Sequence, residues 1–196
     1  MSDAPIAVIG FRPHTYWTPA VVATGAGDEV EVIERRKLTF ATGGERNVFH
    51  HAAEAPPAEA PALVERVRAA TTANAVADLA GLVADLQNAG FDIAAAVVPT
   101  GAGRRPETLE EIVRVHALMH AAEGHFYRDV VAAACETVGL PVVRTPEREL
   151  AARMAARLGI DQPALDERLK AMGARLGPPW SQDQKLALLA AWLELP

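Results

Sequence analysis

Two groups of side chains in this sequence have the residue types and spacing that chemistry requires. The denser one is His116-Ala-Leu-Met-His120-Ala-Ala-Glu123-Gly-His125-Phe-Tyr127. At about 100° per residue of helix, His116, His120, Glu123 and Tyr127 fall within an arc of roughly 60°. Leu109, Val113, Val130, Val131 and Ala134 share or flank that arc. The two imidazoles are therefore expected in the middle of the apolar face, buried with Glu123. His125 is expected on the opposite side, among Arg114 and Glu110. Two neutral imidazoles one turn apart, with a carboxylate one turn further, can hold a divalent transition metal from one side. The glutamate between histidines that marks HExxH zinc proteases is missing, so a metal here would use His116, His120 and Glu123 in another chemistry. The other reading of the run is a polar seam, satisfied within the core or across a helix–helix contact in a homodimer.

The second group is the loop Gly101-Ala-Gly103-Arg104-Arg105. No Gly-Lys-Ser/Thr follows the glycines, so this is not a Walker loop. Its use would be to hold an anion. Thr42-Gly-Gly-Glu-Arg46 and the neighbouring pair His50-His51 form a third polar stretch, which reads first as a turn with surface histidines. Trp17 and Trp180 have the faces to stack on a base, but each lies near prolines and suits packing equally. Arg35-Arg36-Lys37 reads as a charged strand edge that discourages further pairing.

Elements must bring these groups together. Ile6 to Phe11 is a short apolar run suited to a strand buried on both faces. Pro19 to Thr24 and Glu29 to Phe40 follow as strands, with Gly25 to Asp28 as the turn between them. Three strands with short links predict an antiparallel meander. A linker rich in Ala, Pro and Glu spans 52–62. Leu63, Val67, Val76, Leu79, Val83 and Leu86 then recur at helical spacing, and Gly90 stops the run. Phe91 to Val98 reads as a buried strand. A second long helix is predicted from Pro106, a good first helical residue, to about Val138. Pro141 to Arg144 is a short strand. Thr145 has the chemistry of an N-cap, a helix follows to Gly159, and another runs from Pro163 to Leu176. Ser181 with Gln184 makes a capping box for a last helix.

Half of the 196 residues are hydrophobic and 22% are charged, as in an ordered globular chain. That length suits one domain spanning 1–196, with residues 146–196 as its helical C-terminal part. A net charge of −6 argues against unaided gripping of duplex DNA, which depends on neutralising phosphates. Cys135 is the only cysteine, which excludes an internal disulfide and a multi-cysteine zinc site. No run approaches the roughly 18 apolar residues of a membrane span, and the first residues lack a signal-peptide pattern, so the cytoplasm is the expected location.

The element order β-β-β-α-β-α-β-α resembles that of the ribonuclease H-like superfamily. That resemblance implies an α/β fold with a mixed sheet, in which the meander joins parallel βα units and extra C-terminal helices follow. Val8-Ile-Gly-Phe-Arg12-Pro-His14 is similar to the opening strand of the RuvC-like resolvases, which reads apolar-apolar-Gly-apolar-Asp-Pro. Arg12 stands where that family places its first metal-binding Asp. Trp180-Ser-Gln-Asp183-Gln-Lys-Leu186 resembles the start of the family's last helix, where acids lie three residues apart. Asp183 matches one and Leu186 replaces the other. The fourth strand ends in Val98-Pro-Thr100, without the family's Glu. A two-metal nuclease clusters carboxylates around ions about 4 Å apart, and an arginine there has the wrong sign. The resemblance therefore implies a protein without nuclease activity. It also places the ends of the first and fourth strands side by side, predicting that Arg12, His14, Gly101, Gly103, Arg104, Arg105 and Asp183 converge on a small phosphate-bearing ligand or a nucleic-acid end.

Overall fold

The computed structural model describes residues 4–40, 46–102 and 104–196. The turn expected at Gly43-Gly44 and the loop residue Gly103 lie outside the described residues. Strands β1 (Ile6–Phe11), β2 (Trp17–Ala26) and β3 (Glu29–Thr39) form the expected antiparallel meander. Strands β4 (Asp92–Val97) and β5 (Val142–Val143) add in parallel on the other side of β1, giving the sheet order β3-β2-β1-β4-β5. Crossover helices are what allow parallel neighbours.

Side-chain alternation along β1 divides the interior into two cores. Ala7, Ile9 and Phe11 face the layer built by α1 (Val48–Glu54), α2 (Ala60–Asn88), α3 (Leu109–Arg114) and α4 (His116–Thr137). Val8 faces the layer of α5 (Leu150–Leu158), α6 (Gln162–Leu176) and α7 (Gln182–Trp192). Gly10 sits where β1 and α7 nearly touch. A Cβ there would lie 1.9 Å from the carbonyl oxygen of Ala187, so only glycine lets the helix dock this closely. Ser181 and Gln184 form the expected capping box of α7, which fixes where its first turn begins.

The structure departs from the sequence expectations at four places. The 52–62 linker is helical at both ends, because Val48, Phe49 and Ala52 bury one face of α1 and α2 already begins at Ala60, leaving 55–59 as the connection. The helix expected to run unbroken from Pro106 instead starts at Leu109, where the Thr108 hydroxyl accepts from the Glu111 N–H. It then breaks at Val115, which is extended (φ −131°, ψ 110°). β-Branched Val113 and Val115 hold a helix weakly, and the break lets α3 turn Ile112 inward independently of α4. Thr145 does not cap a helix. It is buried, its hydroxyl accepts from Arg153, and a 3₁₀ turn at Glu147–Glu149 leads into α5.

Candidate functional site

The C-terminal ends of β1, β4 and β5 open on one crevice, the usual ligand position of a parallel sheet. Arg12, just beyond β1, lies between two carboxylates. Its Nε and Nη2 donate to Glu147 Oε1 at 3.2 and 3.1 Å, and its Nη1 donates to Asp183 Oδ1. His14 joins the same carboxylate, with Nε2 3.1 Å from Asp183 Oδ1. The imidazole of His14 stacks on Trp17 at 4.4 Å between centroids, and Lys37 lies over the other ring of that stack at 4.7 Å. Of the residues expected to converge, Arg12, His14 and Asp183 are therefore brought together.

Glu147 is the partner that sequence reasoning missed. In the sequence it reads only as an acid in the first turn of the helix expected after Thr145, yet backbone pairing carries it to the crevice. Thr100 N–H donates to the Thr145 carbonyl at 2.8 Å, and Glu147 N–H donates to the Thr100 carbonyl at 3.1 Å. An acid just past the end of a strand that neighbours β4 was the available signal. Glu147 also accepts from Arg128 Nη2 at 3.4 Å, and Arg128 donates to the Gly124 carbonyl at 2.9 Å. The Arg128 guanidinium lies so close to Gly101 that a Cβ there would be 3.2 Å away. Its Nε is buried without a hydrogen-bond partner among the described residues.

Arg104 and Arg105 do not join Arg12. Arg104 pairs with Glu111, and Arg105 pairs with Asp129. The expected anion site at the start of a Pro106 helix is absent because no helix starts there. Arg105 instead lines a cavity of about 310 Å³ with Thr100, His125, Arg128, Asp129 and Arg144. Arg144 pairs with Asp129 at 2.8 Å. Among the described residues, the guanidiniums of Arg12, Arg105, Arg128 and Arg144 make their ion pairs with Glu147, Asp129 and Asp183. His125 lies on this face rather than beside Arg114 and Glu110, because the break at Val115 turns α3 away from the line of α4. Burial first, then the charges of Arg105, Arg128 and Arg144, pushes the His125 imidazole below its ordinary value. A larger cavity of about 540 Å³ adjoins it, sharing Arg105, His125 and Asp129 and walled by Phe49, Leu109, Ile112 and Phe126.

The imidazole run differs from expectation in depth. Glu123 is buried, but His116 and His120 are exposed. Helical period fixes direction around the axis, whereas cover depends on position along it, and His116 and His120 lie in the first two turns of α4, next to the break at Val115. His50 on α1 supplies the missing neighbour. Its Nδ1 meets Glu123 Oε1 at 2.9 Å, and its ring centroid lies 5.2 and 5.0 Å from those of His116 and His120. Cys135 takes no part in either group. It is fully buried, and desolvation pushes its thiol up to about 12.

A structure of RuvC from Thermus thermophilus superposes on 95% of this chain and 91% of its own, with a TM-score of 0.52 at 13% sequence identity. The fold is ribonuclease H-like, of the RuvC type. A second structure, RuvC of the same organism in complex with a Holliday junction substrate, gives a TM-score of 0.47 at 14% identity over 96% and 91% of the two chains. No family model matches the sequence, and no curated protein matches it either. The two-metal arrangement that such a fold implies does not fit these residues. The Arg12 guanidinium already pairs with both Glu147 and Asp183, and a divalent ion there would have to displace it or face its charge. Among the described residues, no helix is long and apolar enough to cross a membrane.

Proposed function

We propose that this is a ribonuclease H-like protein that binds a phosphate-bearing ligand, a nucleotide or a nucleic-acid end, without cleaving it by a two-metal mechanism. The observation that carries the reading is Arg12, ion-paired to Glu147 and Asp183 where the fold's metal-binding carboxylates would gather. A positive side chain there pairs with both acids and takes the position between them.

The ligand half of the reading rests on the neighbouring cavities. Arg105, Arg128 and Arg144 offer planar donors suited to phosphate oxygens, and the partnerless Arg128 Nε leaves one donor of the set unmet. The adjoining cavity, about 540 Å³, sets Phe49, Leu109 and Ile112 beside Arg68, Arg105 and Asp129, and has the size for a base or another flat group. A phosphate on the arginines with its organic part in the larger cavity would use both. His125 belongs to both cavities and would sense the ligand's charge.

Two measurements test the halves separately. Incubation of junction, duplex and RNA–DNA hybrid substrates with Mg²⁺ or Mn²⁺ should give no cleavage. Robust cleavage abolished by Asp183→Asn would overturn the non-nucleolytic reading. Calorimetric titration with nucleoside triphosphates and phosphorylated oligonucleotides should show micromolar-to-millimolar binding, weakened roughly tenfold or more in Arg144→Ala. Binding untouched by both Arg105→Ala and Arg144→Ala would remove the site.

A further inference from the structure

Three histidines that the crevice does not use come together on the other side of α4. One ring nitrogen from each of His50, His116 and His120 can be chosen so that all three lie within 4.8 Å of one another. The centroids of His116 and His120 are 4.5 Å apart. These rings are not packed together by apolar burial, since His116 and His120 are exposed and only His50 is partly covered. Beneath them lies Glu123, a buried carboxylate whose Oε1 meets His50 Nδ1 at 2.9 Å and whose Oε2 lies 3.7 Å from His120 Nδ1. A buried acid needs a cationic or hydrogen-bonded partner to remain charged.

We propose that His50, His116 and His120 form a binding site for one divalent transition ion of the Zn²⁺ class, with Glu123 as the carboxylate behind the ligands. Imidazole nitrogens favour such ions over Mg²⁺ or Ca²⁺, which take oxygen ligands. Bonds of about 2.0–2.1 Å to nitrogen place tetrahedral donors about 3.3 Å apart, so the three rings need only close inward. Exposure of His116 and His120 leaves them free to do so. The carboxylate accepts the Nδ1 proton of His50, which fixes the tautomer and leaves Nε2 with the lone pair for the ion, a pairing widely used behind metal-bound histidines. The fold explains the placement. His116 and His120 are one turn apart at the start of α4, and α1 is anchored above them by Phe49, whose ring meets Phe126 edge-on at 6.0 Å. With three protein ligands on the solvent side, a fourth position stays open to water or an exogenous donor.

The test uses the full untagged chain, stripped with a chelator and titrated with Co²⁺ followed by visible absorption, then with Zn²⁺ in competition. One equivalent of Co²⁺ should give the intense bands of a four-coordinate site, with Zn²⁺ displacing it and a large excess of Mg²⁺ not doing so. His50→Ala, His116→Ala and His120→Ala should each lower affinity at least about 100-fold, and Glu123→Gln about 10–100-fold. His51→Ala, the neighbouring imidazole on α1, should leave affinity unchanged. Circular dichroism of His116→Ala should match the parent, because that side chain is exposed. Affinity should fall on acidification, since the ligands must lose their protons. Binding no tighter than in His116→Ala, a six-coordinate spectrum, or equal loss in His51→Ala would overturn the site and leave the histidines as partners of Glu123 alone. Phosphate binding by Arg144 is a separate measurement, so either result stands without the other.

Discussion

At the scale of single residues, Arg12 changes role between sequence and structure. A guanidinium at the end of a strand reads as a free anion-binding group, but here it donates to Glu147 and Asp183 together and so ties α7 to the turn after β5. Arg12→Ala would leave these two carboxylates facing each other with fewer donors. Because the groups are about one-fifth to one-quarter exposed, the loss should be moderate, about 1–3 kcal/mol by urea denaturation. Arg12→Lys should recover only part of it, since an ammonium cannot fork to two acids. A change below about 0.5 kcal/mol for Arg12→Ala would mean that solvent screens the pairs. His125 gives a second prediction, in pH. Its folded-state value lies below the unfolded one, so between the two the unfolded chain binds more protons. The stability that follows is present above the ordinary imidazole range and is lost as pH falls below it. A phosphate held by Arg105, Arg128 and Arg144 offsets their charge and favours the protonated ring, so phosphate affinity should rise on acidification through the same window. Titration calorimetry in buffers of different ionisation enthalpy would register the accompanying proton uptake, and His125→Gln should abolish it.

Elements determine which of these residues can meet. Gly10 is the clearest case, because α7 reaches Arg12 with Asp183 only by lying against a strand with no Cβ at that position. Gly10→Ala would drive a methyl group into the backbone of Ala187 and Ala191. Backbone cannot step aside as a side chain can, so α7 must shift, at a cost of about 3 kcal/mol or more, seen as a large fall in melting temperature. The pairing of β1 with β4 was implied only by the resemblance, whereas the strands and their antiparallel meander were legible because the β1 run, the alternation in β3 and the glycine stops are local signals. The Ser181–Gln184 capping box was legible for the same reason. The break at Val115 was not, since apolar period continues through it and only tertiary packing of Ile112 decides the angle. That one break accounts for the displaced neighbours of His125, whereas the helix start moved from Pro106 to Leu109 because Thr108 caps it. His50 escaped the metal reading because it lies on a separate short helix, 66 positions from His116 in the chain, and no spacing rule connects them. Glu147 escaped because a 3₁₀ turn, rather than the helix inferred from Thr145, carries it back towards β4. α4 then serves two faces. His116, His120 and Glu123 point towards α1, and His125 and Arg128 point towards the cavity beside β4 and β5.

For the whole molecule, charge decides what kind of nucleic-acid partner is compatible with the cavity. The chain carries 25 acidic and 19 basic residues besides its histidines, so its long-range field repels polyanions. Against that background the arginines that line the cavity are Arg105, Arg128 and Arg144, and Asp129 and Glu147 already offset part of their charge. A protein that tracks a duplex spends six to ten phosphate contacts on it and loses affinity steeply with salt, by about 0.9 per contact in log–log slope. Two or three contacts in one cavity should give a slope of only about 2–3. Affinity should also depend on the presence of a terminal phosphate and hardly at all on length, because residues beyond the cavity add repulsion rather than contacts. The measurement is fluorescence anisotropy with oligonucleotides of increasing length, with and without a 5′-phosphate, across a salt series. Binding that strengthens steadily with duplex length, at a slope of six or more, would place the contact surface elsewhere on the molecule and leave the arginine cavity as an internal ion-pair network.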